Sequence, residues 1–361
     1  MEKPKNDIRP TCISLFSGCG GMDIGVEAAG FRIAVATDAD ETCGKTYERN
    51  FPGTPFIVGR IGKTPTSEIL KTAGLRPGQP DLLVGGPPCP AFSKSRFYLK
   101  EKPRALEDPI AAETVGGYLR VLAEARPKAF LLENVKGLAY GIHKQALDHI
   151  ITTASELGYD VSWHIINAAD YGTAQIRERC LVMGSLRGLV PAPLPTHSKF
   201  GNSSGLPKWI SAGDVLRDLD TEENSSDEGH FAGGQHHALL RGIPPGENYL
   251  YYTAERGHPN PVFKWRSRYW SFLLKLSPEL PSWTIQARRS NNMGPFHWRN
   301  RILRIEEIKR LQAFPDKFTL EGNIEKQWRQ VGNAVPPVVA QRFAEAIFAH
   351  IFSKKRARLA A

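Results

Sequence analysis

Residues 13–38, ISLFSGCGGMDIGVEAAGFRIAVATD, contain a complete strand–helix–strand pattern. The apolar run Ile13–Phe16 stops at a glycine-rich loop, and a helical pattern then continues to Gly30. A second apolar run, Ile33–Thr37, stops at Asp38. Strands that alternate with helices at this spacing are typical of βαβ units, whose strands lie parallel in one sheet. This stretch therefore predicts an α/β fold.

The same alternation continues through the first half of the chain. Asp40 is placed to cap a helix that ends near Asn50, and Ala111–Ala125 has a helical pattern. The apolar runs Asp81–Val84 and Ala129–Leu132 predict two more strands. In an open α/β sheet, ligands bind outside the carboxyl ends of the strands. Because glycines or polar residues follow each run, we expect a site assembled from these loops.

The pattern changes in the second half. Val161–Ile166 and Leu181–Met183 predict two strands that could form an antiparallel edge pair. Between Leu186 and Pro281, prolines, glycines and short polar runs replace any regular repeat, which indicates a smaller loop-rich domain. Regularity returns near Arg301, and the last segment has a helical pattern. We therefore expect three segments: residues 1–185 and 283–361, which together form the α/β domain with a C-terminal helix, and residues 186–282, the loop-rich domain.

Charge and cysteine content narrow the functional classes. The formal net charge of +10 favours a polyanionic partner, most often nucleic acid, although a solvated basic surface is the alternative. Basic residues interleaved with Trp265, Tyr269, Trp270 and Trp298 crowd one stretch: Lys264, Arg266, Arg268, Arg288, Arg289, Arg299, Arg301 and Arg304. Five cysteines without C-x-x-C spacing argue against a disulfide framework or a zinc site. No apolar stretch is long enough to predict a membrane helix, and no secretory signal is visible.

The loop Gly18-Cys19-Gly20-Gly21 has the composition of a ligand-binding turn. Glycines let a ligand approach the backbone closely, and the helix that follows favours negative charge at its N-terminus. A dinucleotide-binding loop has the pattern G-x-G-x-x-G, but Asp23 occupies its last position, so the NAD interpretation is weak. Asp38, at the end of the second strand, could bind ribose hydroxyls. Together these residues predict a nucleoside cofactor without a required pyrophosphate; by itself the loop could be a tight turn.

The segment Gly85-Gly-Pro-Pro-Cys-Pro90 predicts a nucleophile. Pro88 and Pro90 restrict the backbone on both sides of Cys89, and a cysteine on a stiff loop at a strand's carboxyl end is well placed to attack a substrate. The alternative is an inert buried thiol, which is the usual environment of a lone cysteine. A loop bracketed by prolines is unsuited to core packing, so we favour the nucleophile. Burial is expected instead for the cysteines within strand or helix patterns: Cys12, Cys43 and Cys180.

Two more polar segments are candidates for the site. Glu133-Asn-Val135 ends a buried strand, where a desolvated carboxyl group can stay protonated and donate a proton, although ion pairing is the commoner role. Gln175-Ile-Arg-Glu-Arg179 predicts the start of a strand, in which alternation puts Gln175, Arg177 and Arg179 on one face. Three convergent donors suit an anionic or carbonyl-rich ligand, and a charged edge strand is an equally good interpretation.

Six motifs resemble, in order, those of the C5-cytosine DNA methyltransferases, which are typically bacterial and often the modification half of restriction–modification systems. The motifs are Leu15–Gly21, Gly85–Ser93, Glu133–Val135, Gln175–Arg179, Arg301–Pro315 and Gln330–Pro337. Any one of them could arise by chance, whereas six in the family's order are highly specific. The resemblance runs from Ile13 to about Ile351 and implies a Rossmann-like methyltransferase domain with a mostly parallel sheet. It also implies that residues 186–282 form a smaller target recognition domain.

The resemblance implies the roles of the catalytic residues. Cys89 would attack carbon 6 of cytosine. Glu133 would contact N3 and the exocyclic amine, assisted by Asn134, and Arg179 would hold O2. Gln175 would act with the other arginine of its motif, Arg177, to support the loop and contact phosphate.

The cofactor implied by the resemblance is S-adenosylmethionine, which becomes S-adenosylhomocysteine, with no metal. It would be held by Phe16, Gly18, Gly20, Gly21, Asp38, Ile61, Asn333 and Val335. Three positions depart from the family's pattern. The family usually has Asp where Ser14 stands, often has an aromatic residue where Ala39 stands, and commonly has an Asp near the adenine where Arg60 stands.

The expected partner is double-stranded DNA, methylated by a monomer in the bacterial cytoplasm beside the nucleoid, without membrane association and paired with a restriction endonuclease. The basic, aromatic stretch Lys264–Trp270 is the candidate DNA contact, with packing of its tryptophans as the alternative. An RNA (tRNA) cytosine methyltransferase and a non-catalytic DNA-binding relative are alternative functions. A Rossmann oxidoreductase is a distant third because of Asp23.

Overall fold

The computed structural model describes residues 7–88, 107–201, 205–266 and 269–359, except the side chains of residue 142 and of residues 353–359. Cys89 and Arg268 therefore lie outside the described residues. The strands are β1 Thr11–Leu15, β2 Arg32–Asp38, β3 Phe56–Val58, β4 Leu82–Gly85, β5 Ala129–Val135, β6 Asp160–Asn167, β7 Gln175–Ile176, β8 Glu178–Ser185 and β9 Ser282–Trp283. The α-helices are α1 Gly21–Ala28, α2 Glu41–Asn50, α3 Thr66–Ala73, α4 Pro109–Ala125, α5 Lys144–Glu156, α6 Ala212–Leu216, α7 His237–Gly242, α8 Ile305–Leu311, α9 Ile324–Asn333 and α10 Pro337–Leu359.

Seven strands form one sheet in the order β3-β2-β1-β4-β5-β8-β6. The first five are parallel, and β8 runs antiparallel to both β5 and β6. The α/β fold with a mostly parallel sheet is therefore confirmed. The predicted antiparallel pair is β6 with β8, but only β6 is at the edge because β8 also pairs with β5.

Two helices of the first half, α2 and α4, begin at an aspartate that caps them. The Asp40 carboxylate accepts a hydrogen bond from the Thr42 N–H (2.9 Å), so α2 starts at the predicted residue. Asp108 caps α4 in the same way through the N–H groups of Ile110 and Ala111. These local contacts explain why α2 and α4 begin where they do.

The expected continuous strand from Gln175 to Arg179 is wrong, because the chain changes sheets at Arg177. The Arg177 N–H donates to the Asn167 side chain (3.0 Å), and the Arg177 carbonyl accepts from the Ala168 N–H (2.9 Å). With both main-chain groups bonded to this turn, neither ladder continues through Arg177. The strand β7 pairs instead with β9, and β8 starts afresh at Glu178.

Apolar side chains cover both faces of the sheet. One cluster packs α3, α4 and α5 on one face, and the other packs α1 and α10 on the opposite face and continues into the loop-rich segment. In its described residues, that segment contains α6, α7, short 3₁₀ turns and isolated bridges, so its predicted irregularity is confirmed. None of the described helices combines the length and hydrophobicity needed to span a bilayer.

Candidate active site

The carboxyl ends of three neighbouring strands form the predicted edge of the site. Leu15 in β1 is in register with Gly85 in β4, and Gly85 is in register with Leu132 in β5. The glycine loop, the segment that leads to Cys89, and Glu133 therefore follow side by side at one edge of the sheet. The structure brings these three predicted segments together.

The glycine loop packs closely against neighbouring residues at Gly20 and Gly21, but it borders open space at Gly18. A Cβ atom at Gly20 (φ 94°) would lie 2.4 Å from the Phe51 ring, and one at Gly21 would lie 2.8 Å from the Val335 carbonyl oxygen. At Gly18 (φ 55°), by contrast, a Cβ atom would meet no other atom of the described chain within 4 Å. Only glycine suits the first two positions, and Gly18 leaves room for a ligand beside its backbone.

Asp38 is fixed beside this open space. Its carboxylate accepts hydrogen bonds from the N–H groups of Gly18 (2.9 Å) and Asp40 (2.9 Å). Burial raises the pKa of the Asp38 carboxyl group above its ordinary value, while the two backbone hydrogen bonds act in the opposite direction. The carboxylate is thus positioned to accept hydrogen bonds from ligand hydroxyl groups.

A buried hydrogen-bond chain under the glycine loop was not anticipated from the sequence. The Ser17 hydroxyl donates to the Ser14 hydroxyl (2.8 Å), which donates to the Asp23 carboxyl group (2.6 Å). Asp23 is fully buried, and this desolvation raises its pKa to about 7. The family resemblance implies an Asp at position 14, where this chain has Ser14. The carboxyl group that bonds to Ser14 comes from Asp23, nine residues later. In the sequence, Asp23 served only as an argument against a dinucleotide-binding loop. The signal that could have indicated this hydrogen-bond chain was an acidic residue among apolar residues at the start of a helix.

Arg177 joins the last motif to the rest of the site. Its buried guanidinium donates to the carbonyls of Ile285 (3.2 Å), Gly332 (2.8 Å) and Ala334 (3.0 Å). Val335 is buried against the glycine loop, whereas the side chain of Asn333 is exposed. The first and last motifs, more than 300 residues apart, thus form one wall.

Gln175 has a similar structural position. Its side-chain oxygen accepts from the Ile285 N–H (3.0 Å), and its amide group lies 3.5 Å from the Leu311 carbonyl. Gln175 and Arg177 are both buried and bonded to main-chain groups, so the carbonyl-rich partner expected from the sequence is the chain itself. Gln175 lies in β7 and Arg179 in β8, which belong to different sheets, so the two do not share the strand face on which the sequence had grouped them.

Glu133 and Arg179 form an ion pair at the centre of the edge. The Glu133 Oε1 atom lies 2.7 Å from the Arg179 Nε atom, and the two side chains are 11% and 12% exposed. The ion-pair role that the sequence left open for Glu133 is therefore the observed one. A Cβ atom at Gly86 would lie 3.1 Å from the second carboxylate oxygen, which places this carboxylate against the segment leading to Cys89. The Asn134 amide donates to the Pro87 carbonyl (3.2 Å) and fixes the same segment.

The three cysteines that the sequence places within strand or helix patterns occupy the environments expected for them. Cys12, Cys43 and Cys180 are buried. Burial, with a smaller effect of Glu133, raises the pKa of Cys180 to about 12. These thiols are protonated at neutral pH and are unsuited to nucleophilic attack. Within the described ranges, no group of three His, Cys, Asp or Glu residues is arranged to hold a metal ion.

About half of the basic stretch in the second half of the chain is structural rather than free for a ligand. The four arginines with protein partners are Arg289 with Glu325, Arg299 with Asp220, Arg301 with Glu307, and Arg304 with the Asn224 carbonyl. Lys264, Trp265, Arg266 and Trp270 are exposed, as is Arg288. Trp270, although 44% exposed, packs edge-on against Trp283, with the ring centroids 5.4 Å apart. The packing alternative therefore holds in part for Trp270, and the candidate DNA contact contracts to Lys264, Trp265, Arg266 and Arg288.

Comparison with known proteins agrees with this geometry. The family model described as C-5 cytosine-specific DNA methylase matches residues 10–349. The type II methyltransferase M.SacI of Streptomyces achromogenes is 39% identical, over 90% of this chain and 89% of that protein. M.NgoPII of Neisseria gonorrhoeae, also a type II methyltransferase, is 31% identical over 93% and 94%.

A solved structure supports the fold independently. It is that of an Escherichia coli prophage protein assigned as a DNA modification methyltransferase. It superposes with a TM-score of 0.69 at 21% identity and covers 95% of this chain and 99% of that one. At this identity the likeness concerns the fold alone, whereas the family match spans nearly the whole chain. The chain belongs to the C-5 cytosine-specific DNA methylase family, whose reaction is the methylation of carbon 5 of cytosine in DNA.

Proposed function

We propose that Cys89, Glu133 and Arg179 carry this reaction on a cytosine within a specific double-stranded DNA sequence. The observation that carries the proposal is the Glu133–Arg179 ion pair, which lies against Gly86, three residues before Cys89. A carboxylate and a guanidinium in one pocket match the donor and acceptor groups of the cytosine edge. Asn134 supports the same segment through Pro87.

Carbon 5 of cytosine is a poor nucleophile, and the proposed residues correct this in two stages. The Cys89 thiolate forms a bond to carbon 6, and the displaced electron pair makes carbon 5 nucleophilic. A proton shared between Glu133 and N3 lets N3 take up the displaced electron density, and Glu133 also accepts a hydrogen bond from the exocyclic amine. Arg179 stabilises the negative charge that develops at O2. Once carbon 5 has accepted the methyl group, its proton passes to a water molecule and the electron pair of that carbon–hydrogen bond re-forms the ring double bond. The sulfur–carbon bond breaks at the same time, which restores the thiolate.

S-adenosylmethionine supplies an electrophilic methyl group on a sulfonium when it is bound, and the glycine loop fits such a ligand. Open space beside Gly18 and the fixed carboxylate of Asp38 suit a ribose. The other residues that would line the cofactor are Phe16, Gly20, Gly21, Ile61, Asn333 and Val335. Gln175 and Arg177 then act as positioning residues, because their side chains hold the main chain around Ile285 and Gly332.

The DNA-binding part of the proposal assigns residues 186–282 as the target recognition domain between the two parts of the catalytic domain, residues 1–185 and 283–361. Carbon 5 and carbon 6 are inaccessible to a side-chain nucleophile inside duplex DNA, so the base must be flipped out. The type II relatives support pairing with a restriction endonuclease. The remaining part of the proposal is that the enzyme acts as a monomer in the cytoplasm, at the nucleoid.

The function is tested by expressing the chain in a host that lacks cytosine-C5 methylation and by bisulfite sequencing of the host DNA. We expect protected cytosines at one position of one recurring sequence. A parallel assay with labelled S-adenosylmethionine should show transfer to DNA and none to tRNA. Transfer to tRNA alone, or unprotected DNA from cells that contain folded protein, would refute the assignment.

We call the exposed residues Lys264, Trp265, Arg266 and Arg288 the exposed patch. Charge reversal tests whether this patch contacts DNA. We expect Lys264→Glu with Arg266→Glu to weaken duplex binding and to reduce the slope of log K against log salt by about 1–2, because each lost phosphate contact removes about 0.9. Titration by fluorescence anisotropy at several salt concentrations measures both quantities. The control is Lys71→Glu with Arg76→Glu, the same charge change in exposed residues of α3 and of the loop between α3 and β4. Equal slopes for the two variants would exclude the patch from the interface.

A further inference from the structure

Arg60 and Glu113 form an ion pair beside the proposed cofactor site. Arg60 follows β3, and the N–H of the preceding residue, Gly59, donates to the Asp38 carbonyl (2.9 Å). This bond holds the Arg60 loop next to the carboxylate proposed to bind ribose. Arg60 is therefore one residue from the main chain of the cofactor site, at the same carboxyl edge of the sheet.

The helix α4 fixes this loop from the other side. A Cβ atom at Gly117 would lie 2.6 Å from the Ile61 side chain, so Ile61 is seated directly on the helix. The Arg120 guanidinium donates to the carbonyls of Ile61 (2.8 Å) and Thr64 (2.9 Å). One helical turn before Gly117, Glu113 lies against the loop. The contacts of α4 thus place a carboxylate at the edge of the proposed cofactor site.

The guanidinium of Arg60 holds this carboxylate through two atoms. The Arg60 Nε atom donates to Glu113 Oε1 (3.1 Å), and a second guanidinium nitrogen contacts Oε2. Such two-point pairing fixes the orientation of a carboxylate. The Glu113 side chain remains 26% exposed, and a carboxylate has acceptor sites beyond the two that arginine uses. An exposed ion pair contributes little to the free energy of folding, so we consider a role of this pair in ligand binding.

We propose that Glu113 accepts a hydrogen bond from the exocyclic amino group of the cofactor's adenine and that Arg60 holds the carboxylate for this contact. The inference rests on the proposed cofactor site. The family resemblance implies an acid at the position of Arg60, and in this chain the acid would come from α4 instead. Glu113 is then a binding residue, and Arg60 is a positioning residue.

The test compares two ligands that differ only at this amino group. In the 6-deamino analogue of S-adenosylhomocysteine a hydrogen atom replaces the amine, so the analogue cannot donate a hydrogen bond there. By isothermal titration calorimetry, we expect the wild-type chain to bind S-adenosylhomocysteine about tenfold more tightly, as fits a hydrogen bond to a charged group. In Glu113→Ala the preference should disappear through weaker binding of S-adenosylhomocysteine, and Glu113→Gln and Arg60→Ala should retain part of it.

Glu124→Ala is the matched control, because Glu124 lies on the same helix and is also paired with an arginine, Arg120. This variant should keep the wild-type preference for S-adenosylhomocysteine. If Glu113→Ala acted only by disturbing α4 in general, Glu124→Ala would lose the preference as well. Absence of any preference in the wild type, or an unchanged preference in both Glu113 variants, would overturn the inference while leaving the proposed cofactor site intact. A wild-type chain that binds neither ligand would refute the cofactor site and this inference together.

Discussion

Cys89→Ser should reduce methyl transfer by about four orders of magnitude or more, the usual cost of removing a nucleophile. A serine hydroxyl ionises far less readily than a thiol, whose ordinary pKa is about 8.5, and it forms the bond to carbon 6 correspondingly slowly. Cofactor binding should be unchanged, because the contacts that shape the glycine loop come from Asp38, Phe51 and Val335. Transfer of labelled methyl groups and calorimetric titration with S-adenosylhomocysteine measure the two effects.

A covalent trap makes this result specific. In DNA that contains 5-fluorocytosine, carbon 5 has no proton to lose after methylation, so the enzyme remains attached through its nucleophile. The wild-type chain and Cys43→Ser should both form the adduct, since the Cys43 thiol is buried in α2. Cys89→Ser should form none. An adduct or sustained turnover in Cys89→Ser would show that another group is the nucleophile.

Arg177→Met should lower the free energy of unfolding by about 3 kcal/mol or more, as expected when a buried charged donor is removed from its acceptors. The change leaves the carbonyls of Ile285, Gly332 and Ala334 without the guanidinium to which they are bonded. S-adenosylhomocysteine should also bind more weakly, because the last motif is no longer held against the glycine loop. Urea denaturation and calorimetry measure these effects.

The matched control for Arg177 is Arg217→Met. Arg217 forms an ion pair with Glu279, but both side chains are largely exposed, so its loss should cost less than about 1 kcal/mol. Equal destabilisation by the two substitutions would contradict the structural role of Arg177. Normal stability of Arg177→Met combined with lost activity would instead indicate direct contact with the DNA.

The parts of the fold that depend on local patterns could be predicted from the sequence. Apolar runs that stop at glycine or at a polar residue identified β1, β2, β4 and β5, and Asp40 identified the start of α2. The break at Arg177 could not be identified in this way, because its cause is a side chain ten residues earlier, Asn167. Alternation of side chains predicts a single strand only where the backbone hydrogen bonds to the neighbouring strands continue without a break.

The site follows the same division between local and distant contacts. The sequence identified Glu133 and Arg179 as candidates, but their ion pair depends on the antiparallel register of β5 and β8, which no short motif contains. In the basic stretch, the sequence could not separate exposed residues such as Arg266 from Arg301, whose charge is neutralised by Glu307 in the interior. Composition counts charges and does not indicate which of them are already paired.

The bonds from Arg177 to Gly332 and Ala334, with Val335 lying against Gly21, also constrain how the enzyme can be made. A ribosome that has translated the seven-stranded sheet has still not produced the residues that complete the wall of the proposed cofactor site. Nascent or prematurely terminated chains that stop before Val335 therefore lack part of this wall. We expect methyl transfer only from copies whose synthesis has passed this point.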